Sequence, residues 1–344
     1  MKKKIDSILQ QVLEQVDPPK EELKLINDSV KKFSKDVEKR FKREKIKAEI
    51  FIGGSFAKNT VIKKDYYDVD IFLRFDPKYK EQDLSKLTKR VLKGMKGVTT
   101  IHGSRDYFRI KIGSAFFLEI VPVLKVKNTK QAENITDLSY SHVRYINRKI
   151  KSKQTLSEIR IAKAFCFANG CYGAESYIEG FSGYGLELLV YHYKSFLKFI
   201  RAMEKIGKNK VVIDIEKHHK TKKAVLMDVN ASKLISPIIL IDPTFKQRNA
   251  LAALSDATFK RFQKACKNFL RRPSIKAFEV QKTDLEKIKT NAKKKKQEFL
   301  ILEAKTRKQI GDIAGSKLLK FHRHLEFEIK PYFEIKNRGF NYNG

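Results

Sequence analysis

Between residues 3 and 45 the apolar positions recur every three to four residues. Ile5, Ile8, Leu9, Val12 and Val16 share one face, Pro18-Pro19 interrupts, and the pattern resumes from Leu23 to Phe41. This spacing predicts two helices. The period then falls to two: "KAEIFIGGS" reads as a strand entering a turn and "YDVDIFLRF" as a second strand. "YFRIKIG" and "FFLEIVPVLKV" read as two more, with a helix expected over residues 83–95. The result is an α+β module of about 100 residues, within the usual size of one domain. From Thr155 the helical period returns. "TLSEIRIAKAFCFANG" opens on Thr-x-x-Glu, the spacing of a capping box, and closes at Asn169-Gly170. A long helix is expected over residues 186–206, and another ends at Phe269. Arg271-Arg272-Pro273-Ser274 marks a boundary, beyond which helix-like "GSKLLKFHRHLEF" alternates with strand-like "EFLILEA". The expected organisation is therefore residues 1–150, helices plus the α+β module; 151–272, a helical domain; and 273–344, a short α/β tail.

Composition narrows the class. With 344 residues and 42% hydrophobic content the chain can bury more than one core. No apolar run reaches the ~18 residues of a membrane span, and Met1-Lys-Lys-Lys lacks the apolar segment of a secretory signal. A cytoplasmic protein without a membrane partner is expected. Cys166, Cys171 and Cys266 have no metal-ligand spacing and read as reduced core residues. The net charge of +35 is spread along the whole chain, which favours a polyanionic partner, nucleic acid above all. Within it, Lys293–Lys296 reads as a solvated helix face, and His218-His219 as a mobile surface loop without a ligand spacing.

The chemistry lies in "GGSFAKNTVIKKDYYDVDIFLRF". Side chains alternate along a strand, so Asp68, Asp70 and Phe72 face one way while Val69, Ile71 and Leu73 face the other. Two like charges that close repel unless a cation lies between them. Mg²⁺ is the ordinary partner, because it accepts carboxylate oxygens together with substrate phosphates. Glu119, between Leu118 and Ile120 in "FFLEIVPV", supplies a third acid, and three acids suit a two-metal phosphoryl-transfer site. Gly53 and Gly54 let the backbone approach a triphosphate, and Ser55 begins the next helix with a hydroxyl and free N–H groups.

In this order, Gly-Ser, paired acids and third acid resemble the polymerase-β-like nucleotidyltransferases, which implies a palm domain with a mixed sheet. The blocks "HVRYINRKI", "EIRIAKAFCFANGCYGAESYIEGFSGYGLELLVYHYKSF" and "LIDPTFKQRNALAALS" narrow the resemblance to the class I, archaeal-type CCA-adding enzymes, over about residues 45 to 275. The resemblance implies Mg²⁺ binding and catalysis by Asp68, Asp70 and Glu119. It implies nucleotide binding by Gly54, Ser55, Lys58, Ser139, His142, Lys163 and Tyr172, with Arg248-Asn249 in the segment that reads the incoming base. Substrates would be CTP, ATP and the acceptor and TψC arms of tRNA; a homodimer stays open. Tyr184 and Phe181 read as packing residues. Three departures stand out: Lys58 where the family usually has Arg, Glu119 where it usually has Asp, and a tail expected to be shortened. They raise the alternative of a tRNA-binding protein with an inactive palm; a poly(A)- or oligoadenylate-type polymerase, which would share the palm but not need Arg248-Asn249, is the other.

Overall fold

The computed structural model describes every residue except 1, 65, 103–104, 114–115, 127–130, 133, 208, 281–282, 306–310 and 343–344. Two helices come first, α1 (Lys2–Val16) and α2 (Lys20–Arg43). They separate where the pattern broke, because Pro18 and Pro19 offer no N–H to continue α1 while Pro19 is set correctly to precede α2. Next come β1 (Ala48–Ile52), the single turn α3 (Gly54–Ala57), β2 (Tyr67–Phe75), α4 (Glu81–Leu92), β3 (Val98–Ile101), β4 (Tyr107–Ile112) and β5 (Phe116–Leu124). The sheet runs β1-β2-β5-β4-β3, and only β2 and β5 are parallel. Its buried face carries Val69, Ile71 and Leu73 of β2, covered by Ile26, Val30, Phe33, Val37 and Phe41 of α2.

The second half begins with α5 (Ser139–Lys149), α6 (Lys153–Ala168), α7 (Gly183–Tyr193) and α8 (Phe196–Glu204). A small sheet of β6 (Val211–Ile213), β7 (Ile238–Asp242) and β8 (Phe245–Asn249) follows, with α9 (Lys222–Asp228) inserted. Then come α10 (Asp256–Arg271), α11 (Leu285–Lys294) and α12 (Gly311–Ile329). The core is rich in aromatics: Phe196, Phe262, Phe269 and Phe278 meet Phe165 edge-on. All three cysteines are buried and free. No helix among the described residues is long and apolar enough to cross a membrane.

Several expectations change. Ile5, Ile8, Leu9 and Val12 of α1 pack into the second core, and so do Tyr145 and Ile146 of α5. A division at residue 150 therefore cuts through one packed unit. The helix expected over 186–206 is two helices. Lys194 adopts φ 69°, and Ser195 caps α8 by accepting from the Lys198 N–H. Helix α6 starts at Lys153, which places Thr155 inside the first turn, and no side chain caps it. Strand β3 was not anticipated; its four residues are too few to declare a period. Among the described residues of 273–344 there is no strand, so the tail is helical where α/β was expected. "EFLILEA" finds no neighbouring strand to pair with, and Leu300, Ile301 and Leu302 stay exposed. His219 is held rather than mobile, wedged between Asp214 at 3.1 Å and Asp228 at 3.0 Å.

Candidate active site

The strand β2 ladder places the acids. Val69, Ile71 and Leu73 are fully buried beneath the sheet, which drives Asp68 and Asp70 to the other face. Parallel pairing sets Asp70 level with Glu119 on β5, and antiparallel pairing sets Arg109 on β4 level with Glu119. The three acids are thus brought onto one face. Gly54 has φ +61°, and a Cβ there would lie 1.7 Å from Asp70 Oδ2, so only glycine lets the turn sit against this carboxylate.

Asp70 bears an electrostatic burden. Burial, then the nearby Glu119 charge, push its pKa up to about 7, Asp68 adds to this, and Lys58 only partly opposes it. Glu119 is also raised, first by burial and then by Asp68, although Arg109 counters both. Arg109 is the residue that sequence reasoning missed here. Its Nε donates to Glu119 Oε1 at 3.0 Å and its Nη2 lies 3.5 Å from Asp68 Oδ1. Among the described residues no three His, Cys, Asp or Glu side chains converge as a ready-made metal cluster, because Glu119 turns to this guanidinium. A hard divalent cation nonetheless fits the donor set: Asp70 is a carboxylate whose charge lacks a contacting cation, next to a second carboxylate with an exposed side chain.

A cavity of about 370 Å³ opens over the acids, and Gly54, Ser55, Lys58, Asp68, Asp70, Lys163 and Tyr172 all line it. Neither lysine is solvated. Lys58 Nζ donates to Glu187 Oε2 at 2.6 Å and Lys163 Nζ to Glu187 Oε1 at 2.8 Å, with Glu187 fully buried on α7. Burial would raise the Glu187 pKa, but Lys163 and Lys58 outweigh it and bring it down to about 2. A larger cavity of about 440 Å³, walled by Leu23, Val30 and Phe56, shares Val61 with the first but is lined by no carboxylate.

His142 and Arg248 form a second cluster. His142 Nε2 is 2.9 Å from Asp242 Oδ2, and Arg248 Nη1 donates to the same oxygen at 2.7 Å. Tyr184 donates to Asp242 Oδ1 at 3.0 Å and stacks on the His142 ring at 4.0 Å, so its role goes beyond packing. Phe181 is core. Burial opposes ionisation of Asp242, yet His142 and Arg248 hold its carboxyl well below the usual range. Burial lowers the His142 pKa against the pull of Asp242. Asn249 is turned away: its Oδ1 accepts from the Leu240 and Leu251 N–H groups, and its amide donates to Lys233 O at 2.9 Å. Ser139 begins α5 outside the cavity. Glu187 and Asp242 were readable in principle, since each is an acid inside an apolar run, "GYGLELLVYHY" and "PIILIDP".

Residues 157–279 match the family described as tRNA nucleotidyltransferase, second domain. Residues 3–141 match the Second Messenger Oligonucleotide or Dinucleotide Synthetase domain. The CCA-adding enzyme of Nanoarchaeum equitans is 40% identical over 212 residues, covering 61% of this chain and 52% of that protein. That of Methanocaldococcus jannaschii is 28% identical over 343 residues, covering 97% of this chain and 74% of that protein. The chain thus spans about half the length of the first relative and about three quarters of the second. Two solved structures share the fold at low identity. CdnC of E. coli MS115-1 with ATP gives a TM-score of 0.57 at 14% identity, over 80% of this chain and 94% of that one. The Cid1 poly(U) polymerase gives 0.61 at 13%, over 80% and 98%.

Proposed function

We propose that this chain, which is similar to the archaeal CCA-adding enzymes and has a polymerase-β-like nucleotidyltransferase fold, adds CMP, CMP and AMP to the 3′ end of tRNA without a nucleic-acid template. CTP and ATP are the donors, and the acceptor and TψC arms of tRNA are the surface bound. The observation that carries this reading is that Asp68, Asp70 and Glu119 share one face of the sheet, and that Asp68 and Asp70 line a cavity that Lys58 and Lys163 also line.

In this mechanism Asp68 and Asp70 would hold Mg²⁺, and Glu119, here paired with Arg109, would be the third ligand. When bound, the metal supplies charge neutralisation at the reacting phosphate. Lys58 and Lys163 take the outer phosphates, Ser55 and the start of α3 offer hydroxyl and N–H donors, and Tyr172 closes the wall. Arg248 reads the base edge from its seat on Asp242, beside the His142–Tyr184 stack. Asn249 shapes the strand that carries Arg248.

The retained Asp70 speaks against an inactive palm, since a desolvated carboxylate beside Glu119 and Asp68 costs stability without a cation. The surplus of 35 positive charges supports a nucleic acid as acceptor. The test uses Mg²⁺ and tRNA transcripts ending before CCA, after C and after CC, each with CTP or ATP. The expected result is C, C and A added in that order. Untemplated runs of A on any RNA would instead indicate a poly(A)-type polymerase.

A further inference from the structure

Lys163 is already saturated. An ammonium has three N–H donors, and here they meet Thr60 O at 3.1 Å, Thr60 Oγ1 at 2.8 Å and Glu187 Oε1 at 2.8 Å. Lys58 gives one donor to Glu187 Oε2. Thr60 completes the set, donating its hydroxyl to Glu187 Oε1 at 2.7 Å. These four residues span two bodies: Lys58 and Thr60 follow α3 at the edge of the palm, whereas Lys163 and Glu187 come from α6 and α7. All four line the cavity over the acids.

Such a seat does not simply wait for phosphate. To grip a polyphosphate, at least Lys163 must surrender a bond to Glu187 or Thr60, so protein carboxylate and ligand phosphate compete for the same ammonium groups. We infer that Glu187 is a positioning residue that holds Lys58 and Lys163 in register and weakens their grip on polyphosphate, so that pyrophosphate can leave after each addition. This rests on the triphosphate reading of the cavity given above. An enzyme making successive additions gains from that balance, because each cycle releases a pyrophosphate from the seat it needs for the next nucleotide.

Removing the carboxylate charge should therefore tighten, not loosen, the hold on pyrophosphate. That direction separates this role from mere scaffolding, since a loosened scaffold binds worse. The experiment is calorimetric titration of inorganic pyrophosphate into the full chain and two variants. Relative to the parent, Glu187→Gln binds about tenfold more tightly, because the carboxylate charge that competes for the two ammonium groups is gone. Thr60→Val, which deletes one hydroxyl of the cradle, shifts the same way by about threefold, and it carries the test if Glu187→Gln does not fold. In nucleotide addition, both variants lower kcat and KM for CTP together and become more sensitive to pyrophosphate. Equal or weaker pyrophosphate binding in the folded variants overturns the role of Glu187 while leaving the triphosphate seat standing. A parent chain that binds no pyrophosphate overturns the seat itself, and the inference with it.

Discussion

Asp70 and Glu187 line one cavity and are both carboxylates in a poorly hydrated setting, yet they are driven in opposite directions. Burial alone would raise both. Asp70 has mainly other acids for company and reaches about 7, whereas Glu187 receives two ammonium groups and falls to about 2. Asp70 is thus short of a contacting positive charge, while Glu187 draws one from the palm, Lys58, and one from the helices, Lys163. The lesson is that burial marks a carboxylate as unusual, while its neighbours decide whether it awaits a cation or already has one.

The largest effect that would break this contrast is loss of Asp70. Asp70→Ala is expected to reduce nucleotide addition by about a thousandfold or more, with tRNA affinity within about threefold because that grip is spread over many phosphates. Substantial residual turnover, measured with a transcript ending after CC, would remove Asp70 from the metal site. Stability should separate the two carboxylates next. Glu187→Ala leaves two lysines with no buried counter-charge and should cost about 3–5 kcal/mol in urea unfolding. Asp70→Asn, which relieves a like-charge burden, should instead stabilise the cation-free chain by about 1 kcal/mol. If both variants destabilise, the proposed asymmetry is wrong.

Arg248→Ala comes third. It should lower incorporation of both C and A by about tenfold while changing pyrophosphate binding little, since Arg248 is seated on Asp242 in the second cluster. The last concerns pH. The raised Asp70 pKa means that the folded chain keeps a proton the unfolded chain has lost between roughly pH 4 and 7. Stability of the cation-free protein should therefore fall as pH rises through that window, and Mg²⁺, which binds the ionised form, should restore it. Glu187 acts in the opposite sense. Its contribution is complete above the ordinary carboxylate range and is lost only as pH falls toward 2. Thermal melts with and without Mg²⁺ across pH 5–8, a range chosen about the Asp70 value, read this directly.

The acids were legible because strand alternation is a local rule: Val69, Ile71 and Leu73 cannot be buried without turning Asp68 and Asp70 outward. Gly54 was legible for a similar reason, although the carboxylate that excludes a side chain there was not. What the local pattern could not carry was pairing across distance. Lys58 and Lys163 stood out as cations for phosphate, but their partner Glu187 is 129 and 24 residues away along the chain. Asn249 looked like part of a base-reading pair, and only the β7–β8 turn reveals that its amide is consumed by main-chain groups. The break at Lys194 had one local hint, the capping serine that follows it; a lysine at positive φ gives none.

The placement of α1 has a consequence for biosynthesis. Its apolar stripe, Ile5, Ile8, Leu9 and Val12, is covered by residues found between 145 and 278, whereas the palm closes over α2 with residues up to 124. On a ribosome the palm can therefore finish first while α1, made earlier, is still uncovered. This helix must keep its greasy side out of trouble until more than two hundred further residues have been translated, and it becomes the piece that seals the second body shut.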